Sequence, residues 1–183
     1  GDWLIRAGVG NVSPNVKSTD FSGAPGLKVE DADAATNLCV NFTYMLTDTV
    51  GLELLGAIPF KHNISVTGLG EVAETKQLPP TVMVTYNFAP KSNVRPYAGL
   101  GLNHTIFFDE QTKGALAGTS LDLDASTGIA AIGAVDVDIN KSMFSNAQLR
   151  NIKIETTATS SAAGTADVTL DPWVICVGVG WKL

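Results

Sequence analysis

From Val50 to Val66 the chain reads VGLELLGAIPFKHNISV, and its apolar side chains return at every second position. Leu52, Leu54, Ile58 and Phe60 fall on one side, with Glu53, Leu55, Ala57 and Pro59 on the other. Successive side chains of a strand point to opposite faces, so this stretch predicts one long strand with an apolar face and a mixed face. Pro59 interrupts it. Proline has no N–H to give to a ladder, so a neighbouring carbonyl is left unmatched at that level.

The same alternation recurs along the chain. Asp2 to Ser13 sets Trp3, Ile5, Ala7 and Val9 against Leu4, Arg6, Gly8 and Gly10, and Asn37 to Leu46 sets Leu38, Val40, Phe42 and Tyr44 against Cys39, Asn41, Thr43 and Met45. After Pro79-Pro80, Val82, Val84, Tyr86 and Phe88 oppose Thr81, Met83, Thr85 and Asn87. Val94 to Asp109, Asp122 to Ile139, Ser142 to Thr156 and Trp173 to Leu183 complete the set. Long polar connections (Pro14 to Asp33, Thr67 to Glu74, Glu110 to Ser120, Thr157 to Thr165) alternate with tight turns at Thr47-Asp48-Thr49, Ala89 to Asn93 and Asn140-Lys141. That rhythm predicts an all-β chain, residues 1–183 forming one eight-stranded antiparallel up-and-down transmembrane β-barrel with both termini on the short-turn side.

Aromatic placement sets the outer face. Trp3, Tyr44, Tyr86, Phe88 and Trp181 lie near the short-turn ends, and Phe60, Phe108 and Trp173 near the long-loop ends. Two girdles flanking an apolar band are what a bilayer selects, whereas a soluble ligand barrel turns its apolar face inward. Trp173 and Trp181 share a face, and at ~3.4 Å per residue and a ~40° tilt they stand roughly 21 Å apart, close to the height of that band.

Composition narrows the function. The net charge is −6, and acids such as Asp20, Glu30, Asp109, Asp122 and Asp167 sit between the strands, which disfavours nucleic acid as a partner. No run approaches the length of a membrane-spanning helix. The sequence starts directly in a strand pattern, so any export signal is expected to have been removed already. Cys39 and Cys176 fall on the second and eighth strands with the first between them, too far apart for a bridge, and two free thiols are expected. An enzyme needs a nucleophile and a base within reach. Ser145 and His62 lie near opposite ends of the barrel and His104 faces lipid, so no catalytic set, metal site or cofactor is expected.

Five segments, FTYMLTD (42–48), VGLELLGAIPFKH (50–62), LPPT (78–81), RPYAGLGLNHTIFFDE (95–110) and DPWV (171–174), together resemble the OmpW family of small outer-membrane proteins, which includes the hydrocarbon-uptake relative AlkL. The resemblance runs through most of the chain in the right order. It implies an eight-stranded barrel in the outer membrane of a Gram-negative bacterium, with long loops outside, termini in the periplasm and a hydrophobic pocket that opens outward to take up small apolar molecules. Arg150 departs from it, standing where OmpW itself would carry a tryptophan, and an arginine there is AlkL-like.

The inward faces give that expectation residues. Arg6, Glu53, Asp136 and Lys182 are expected to pair into a polar plug, because buried charges are tolerable when partnered. Leu55, Ala57, Pro59, Met83, Ile132, Arg150 and Val174 are expected around an apolar funnel above it, although the same side chains would serve equally to fill a narrow barrel. Pro59, Pro79 and Pro80 mark the expected lateral opening. The function expected is passive uptake of small hydrophobic molecules with sideways release into the bilayer. Its alternatives are a structural or receptor barrel serving phage, bacteriocin or host contacts, and a narrow channel for small polar solutes. Outer-membrane lipid and lipopolysaccharide are the expected surroundings, and a monomer the expected state.

Overall fold

The computed structural model describes all 183 residues, apart from the side chain of Ala57. In chain order the strands are β1 (Trp3–Ser13), β2 (Lys17–Ser18), β3 (Asp20–Phe21), β4 (Ala24–Ala32), β5 (Ala35–Met45), β6 (Val50–Ala57), β7 (Phe60–Val66) and β8 (Gly70–Leu78). They continue with β9 (Thr81–Asn87), β10 (Val94–Thr112), β11 (Leu121–Leu123), β12 (Ser126–Asp138), β13 (Met143–Ile152), β14 (Glu155–Ser160), β15 (Gly164–Thr169) and β16 (Trp173–Lys182). β1, β5, β6, β9, β10, β12, β13 and β16 pair antiparallel, neighbour to neighbour, and the β10–β12 ladder closes them into a barrel.

The two-residue period decides which face meets lipid. Trp3, Leu54, Leu100, Ile129, Val177 and Trp181 point outward and are exposed, while Arg6, Leu55, Tyr97, Ala130, Gln148 and Cys176 point inward and are buried. On the short-turn end the Trp3 and Tyr44 rings lie 5.0 Å apart, and those of Tyr86 and Phe88 5.2 Å. Trp173 marks the other edge, exposed as expected, and Phe108 there is half-buried.

An eight-stranded barrel is only just wide enough for its own side chains, so glycine is needed where large neighbours converge. Cys39 and Cys176 are free and buried, and both reach over Gly10: a Cβ there would lie 2.8 Å from the Cys176 sulfur and 3.3 Å from that of Cys39. At Gly180 the same space is taken by the Phe144 ring.

Most of the predicted long connections are themselves strands. β10 runs on past the barrel and pairs with β8, which continues through β7 and β4 to β3, while β11, β14, β15 and β2 form a second, four-stranded sheet. Together they raise a crown above the membrane. Pro14 to Asp33 and Thr157 to Thr165, expected as loops, contribute β2, β3 and β4 and most of the β14–β15 hairpin. β2 and β3, two residues each, are strands by virtue of their crown pairing, while the threonine-rich β14 pairs within its own hairpin with β15.

The predicted single strand from Val50 to Val66 is two. β6 pairs with β9 as far as Leu55 opposite Thr81, and β7 pairs with β8 from Phe60 opposite Gln77, so residues 56–59 of one stave face only 78–80 of the other. One extra residue in one strand inverts its side-chain parity. Ile58 therefore points outward at 50% exposure, whereas Phe60, expected in the outer girdle, is turned inside at 2%. His62, Ile64 and Val66 follow it inward. β8 and β9 keep one parity throughout, with Thr75, Gln77, Thr81 and Met83 all buried.

Replacing Gly180 with valine should overpack the lumen against Phe144 and lower unfolding stability by about 1–3 kcal/mol. Gly133→Ala, at a position with nothing within 4 Å, should leave stability unchanged. Urea midpoints of the protein refolded into phospholipid vesicles compare the two.

Candidate functional site: an apolar chamber above a charged plug

Halfway down the barrel, side chains from six strands, β1, β5, β6, β10, β12 and β13, meet in a buried polar cluster. Arg6 makes a two-pronged contact to Asp136, with Nε to Oδ1 at 3.1 Å and Nη2 to Oδ2 at 2.7 Å, and its Nη1 donates to Thr43 Oγ1 at 2.8 Å and reaches Glu53 at 3.4 Å. Glu53 also accepts from Thr43, from Asn41 Nδ2 and from Arg150 Nη2. Arg150 donates further to Gln148 Oε1 at 2.9 Å and lies against Met83 Sδ. Asn146 bridges Asp136 and the Tyr97 hydroxyl, and the Arg6 guanidinium sits 4.8 Å above the Tyr97 ring. Two guanidinium groups thus face two carboxylates, and no net charge is buried.

This arrangement revises two assignments. Lys182 is not in the plug: it lies one inward position nearer the periplasm, opposite Leu4, whereas Arg6 is opposite Gly180. There it bonds Asp138 at 3.0 Å beside the Arg95–Asp138 pair. Arg150, placed in the funnel wall, is fully buried and completes the plug, because only Glu53 and Gln148 can satisfy its charge at that level. The crevice bordered by Arg6, Cys39, Asn41, Gln148 and Cys176 has no room for a water molecule.

Leu55, Met83, Ile132 and Val174 are buried in the barrel and belong to one continuous apolar core with the crown. None of the four borders the crown cavity. The side chain of Ala57 lies outside the described residues, and Pro59 is half-buried at the parity switch. The cavity lies higher, enclosed by Val29, Ala32, Ile64, Phe107, Leu121, Ala158, Val168 and Leu170, with His62, Thr75 and Gln77 on one wall. It holds about 20 Å³, close to one water molecule in the crown as it stands. The alternation Phe60, His62, Ile64, Val66 was visible in the sequence. Its inward direction was not, because the even-numbered positions are apolar before and after Pro59 and read as one lipid-facing row through Leu52, Leu54, Ile58 and Phe60.

His62 Nδ1 lies 2.7 Å from the Asp33 carbonyl oxygen, so this nitrogen carries the proton and donates, and Nε2 is the acceptor. Burial lowers the His62 pKa below the usual histidine range, outweighing the Asp33 carbonyl, the Asp33 carboxylate and Gln77, which pull it up. Ser145 donates to the Val137 carbonyl at the periplasmic end, a barrel length away from His62.

Beside the chamber, the lips of the β6/β7–β8/β9 seam find their partners elsewhere. Ile58 N–H donates to the Leu38 carbonyl, and Asn37 Nδ2 caps the Pro59 carbonyl at 3.1 Å. Across the gap, the Pro79 carbonyl accepts from Thr81 Oγ1 at 3.0 Å, and that of Pro80 from His104 N–H at 3.0 Å and Asn103 Nδ2 at 3.3 Å. Among the described residues no backbone hydrogen bond joins 56–59 to 78–80.

A closed antiparallel barrel that is apolar and ringed by aromatics outside, with its charges paired within, defines an outer-membrane β-barrel protein. The profile of the OmpW family matches residues 1–183. Outer membrane protein W of Vibrio cholerae is 42% identical over 194 residues, covering 100% of this chain and 88% of its own. The crystal structure of OprG from Pseudomonas aeruginosa superposes with a TM-score of 0.91 at 37% identity, over 100% of this chain and 96% of that one. The solid-state NMR structure of AlkL in DMPC bilayers shares the fold at a TM-score of 0.71 and 20% identity, over 100% of this chain and 90% of that one. The chain belongs to the OmpW family and resides in the outer membrane of a Gram-negative bacterium.

Removing Glu53 as Glu53→Ala would leave Arg6 on Asp136 but strand Arg150 beside a buried hole, and is expected to destabilise by about 3–5 kcal/mol, read from urea unfolding in vesicles. The His62 linkage has a definite sign. Its folded pKa lies below the unfolded value of about 6.5, so the unfolded chain binds more protons and the histidine's contribution is fully present above that pH. As pH falls through about 6.5 toward the folded pKa, stability should decline more steeply in the wild type than in His62→Phe, as followed by thermal unfolding between pH 8 and 5.

Proposed function

We propose that the protein is a passive outer-membrane channel for small hydrophobic molecules, taking them into the crown chamber from outside and releasing them sideways into the bilayer. The reading rests on one juxtaposition: an apolar chamber sits on a tightly packed, charge-paired floor and beside a seam that, among the described residues, no backbone hydrogen bond crosses. A solute that lost its hydration in the chamber would find the axial route blocked by the plug. Passing between residues 56–59 and 78–80 would break no backbone hydrogen bond, only the packing of Pro59, Pro79 and Pro80. Lateral release also spares an apolar solute any return to water. In the resting crown the chamber is smaller than such a solute, so entry requires the crown sheets to part, a motion their short strands and exposed edges suit. A purely structural or receptor barrel would have no use for this gap, and a polar-solute channel would need space through the plug.

Restoring donors at the seam with the double substitution Pro59→Val and Pro79→Val should slow octane transfer into proteoliposomes roughly tenfold, the equivalent of about one regained backbone hydrogen bond. Leakage of small polar solutes should stay at the protein-free rate. An unchanged octane rate would remove the seam from the pathway.

A further inference from the structure

Apart from Thr156, whose hydroxyl donates to the Asp124 carbonyl, the polar side chains lining the chamber lie on one wall, where Gln77 borders the His62 ring closely enough to pull its pKa up, yet Nε2 of each has no hydrogen-bond partner. The residues are 3% and 1% exposed, and both line the cavity. They come from adjacent strands of one ladder, His62 standing opposite Thr75 and Gln77 opposite Phe60, which leaves them diagonal neighbours on the same face. A buried polar group without a partner is unfavourable by about 1–3 kcal/mol, and two on one wall of an otherwise greasy cavity call for a group that satisfies both.

Their chemistry specifies that group. His62 Nδ1 is committed to the Asp33 carbonyl as a donor, which leaves Nε2 as an acceptor. Gln77 Nε2 is a donor. We infer that the chamber takes hydrophobic molecules bearing one hydroxyl group, medium-chain alcohols being the simplest class, with the O–H donating to His62 Nε2 and the oxygen accepting from Gln77 Nε2. A ketone or aldehyde supplies only the acceptor, and an alkane neither. A carboxylate supplies acceptors alone and would bring an uncompensated charge beside Ile64, Phe107 and Val168. The Asp33 carboxylate adds no competing polarity within the chamber, since it is held by the Asn63 backbone N–H and Nδ2. The inference rests on the chamber being the binding site for apolar solutes and adds to it a preference among them.

The test is a titration of the protein in lipid nanodiscs with 1-octanol, 2-octanone and octane, each referred to its own partitioning into protein-free discs, with the His62 ring nitrogens followed by ¹⁵N NMR. The wild type should bind 1-octanol about tenfold more tightly than octane, with 2-octanone between them and the Nε2 resonance moving on octanol binding. Gln77→Leu and His62→Phe should each bring the octanol-to-octane ratio near one while octane still binds. The wild-type ligand series carries the test even if a variant fails to fold. An octanol-to-octane ratio near one in the wild type overturns the hydroxyl site and leaves the apolar chamber standing. So does a ratio unaltered by both substitutions, as would follow if the Gln77 amide turned to pair with His62 directly. Binding of none of the three ligands overturns the chamber reading itself.

Discussion

The charge balance between Arg6 and Arg150 on one side and Glu53 and Asp136 on the other is the constraint on which the rest of the molecule depends. A lumen this narrow cannot hydrate four ionised groups, so they must be brought together from β1, β6, β12 and β13 with each charge paired. Asn41, Thr43, Asn146 and Gln148 add hydrogen bonds around the pairs, although Arg150 Nε and Asn41 Oδ1 stay without a partner, and the positions of all eight residues fix the register around the barrel. Pairing of this kind earns little net stability over an apolar core of equal volume. What it supplies is a dense floor, and everything above that floor can be apolar without making the barrel a pore.

Above the floor the decisive event is one additional residue in one strand. The parity switch around Pro59 lets a strand whose even-numbered side chains face lipid at Leu52 and Leu54 turn even-numbered side chains inward at Phe60, His62 and Ile64, the last two lining the chamber. The same switch interrupts pairing with the neighbouring stave, and the prolines on both lips keep it interrupted. Chamber wall and seam are therefore two results of a single local irregularity. Ile58 N–H and the Pro59, Pro79 and Pro80 carbonyls on the lips are hydrogen-bonded to β5, β9 and β10.

The barrel was legible because alternation and girdle aromatics are local signals that a strand carries whatever its neighbours do. The inward set Arg6, Glu53, Leu55, Met83, Asp136 and Val174 followed directly from parity. What parity cannot report is height. Lys182 and Arg6 share a face but not a level, and only the β1–β16 register separates them. Nor can it report an inversion within a strand that is apolar on both sides of the break, which is why Phe60 was expected among the lipid-facing aromatics and His62 was not expected in the chamber wall. The crown strands escaped notice because segments such as Lys17–Ser18 are held by distant partners rather than by their own composition.

The roof of the chamber carries a last consequence. Ser22 and Thr19, early in the chain, hold Thr165 and Asp167, near its end, through backbone and side-chain bonds that span up to 148 positions of sequence. β1 and β16 meet at the same place in the barrel wall. The lid thus joins the two ends of the chain as the β1–β16 ladder does, and it is complete only in a chain whose cylinder is closed. A partly inserted chain has no enclosed greasy compartment to capture stray lipid, and the compartment comes into being with the finished molecule.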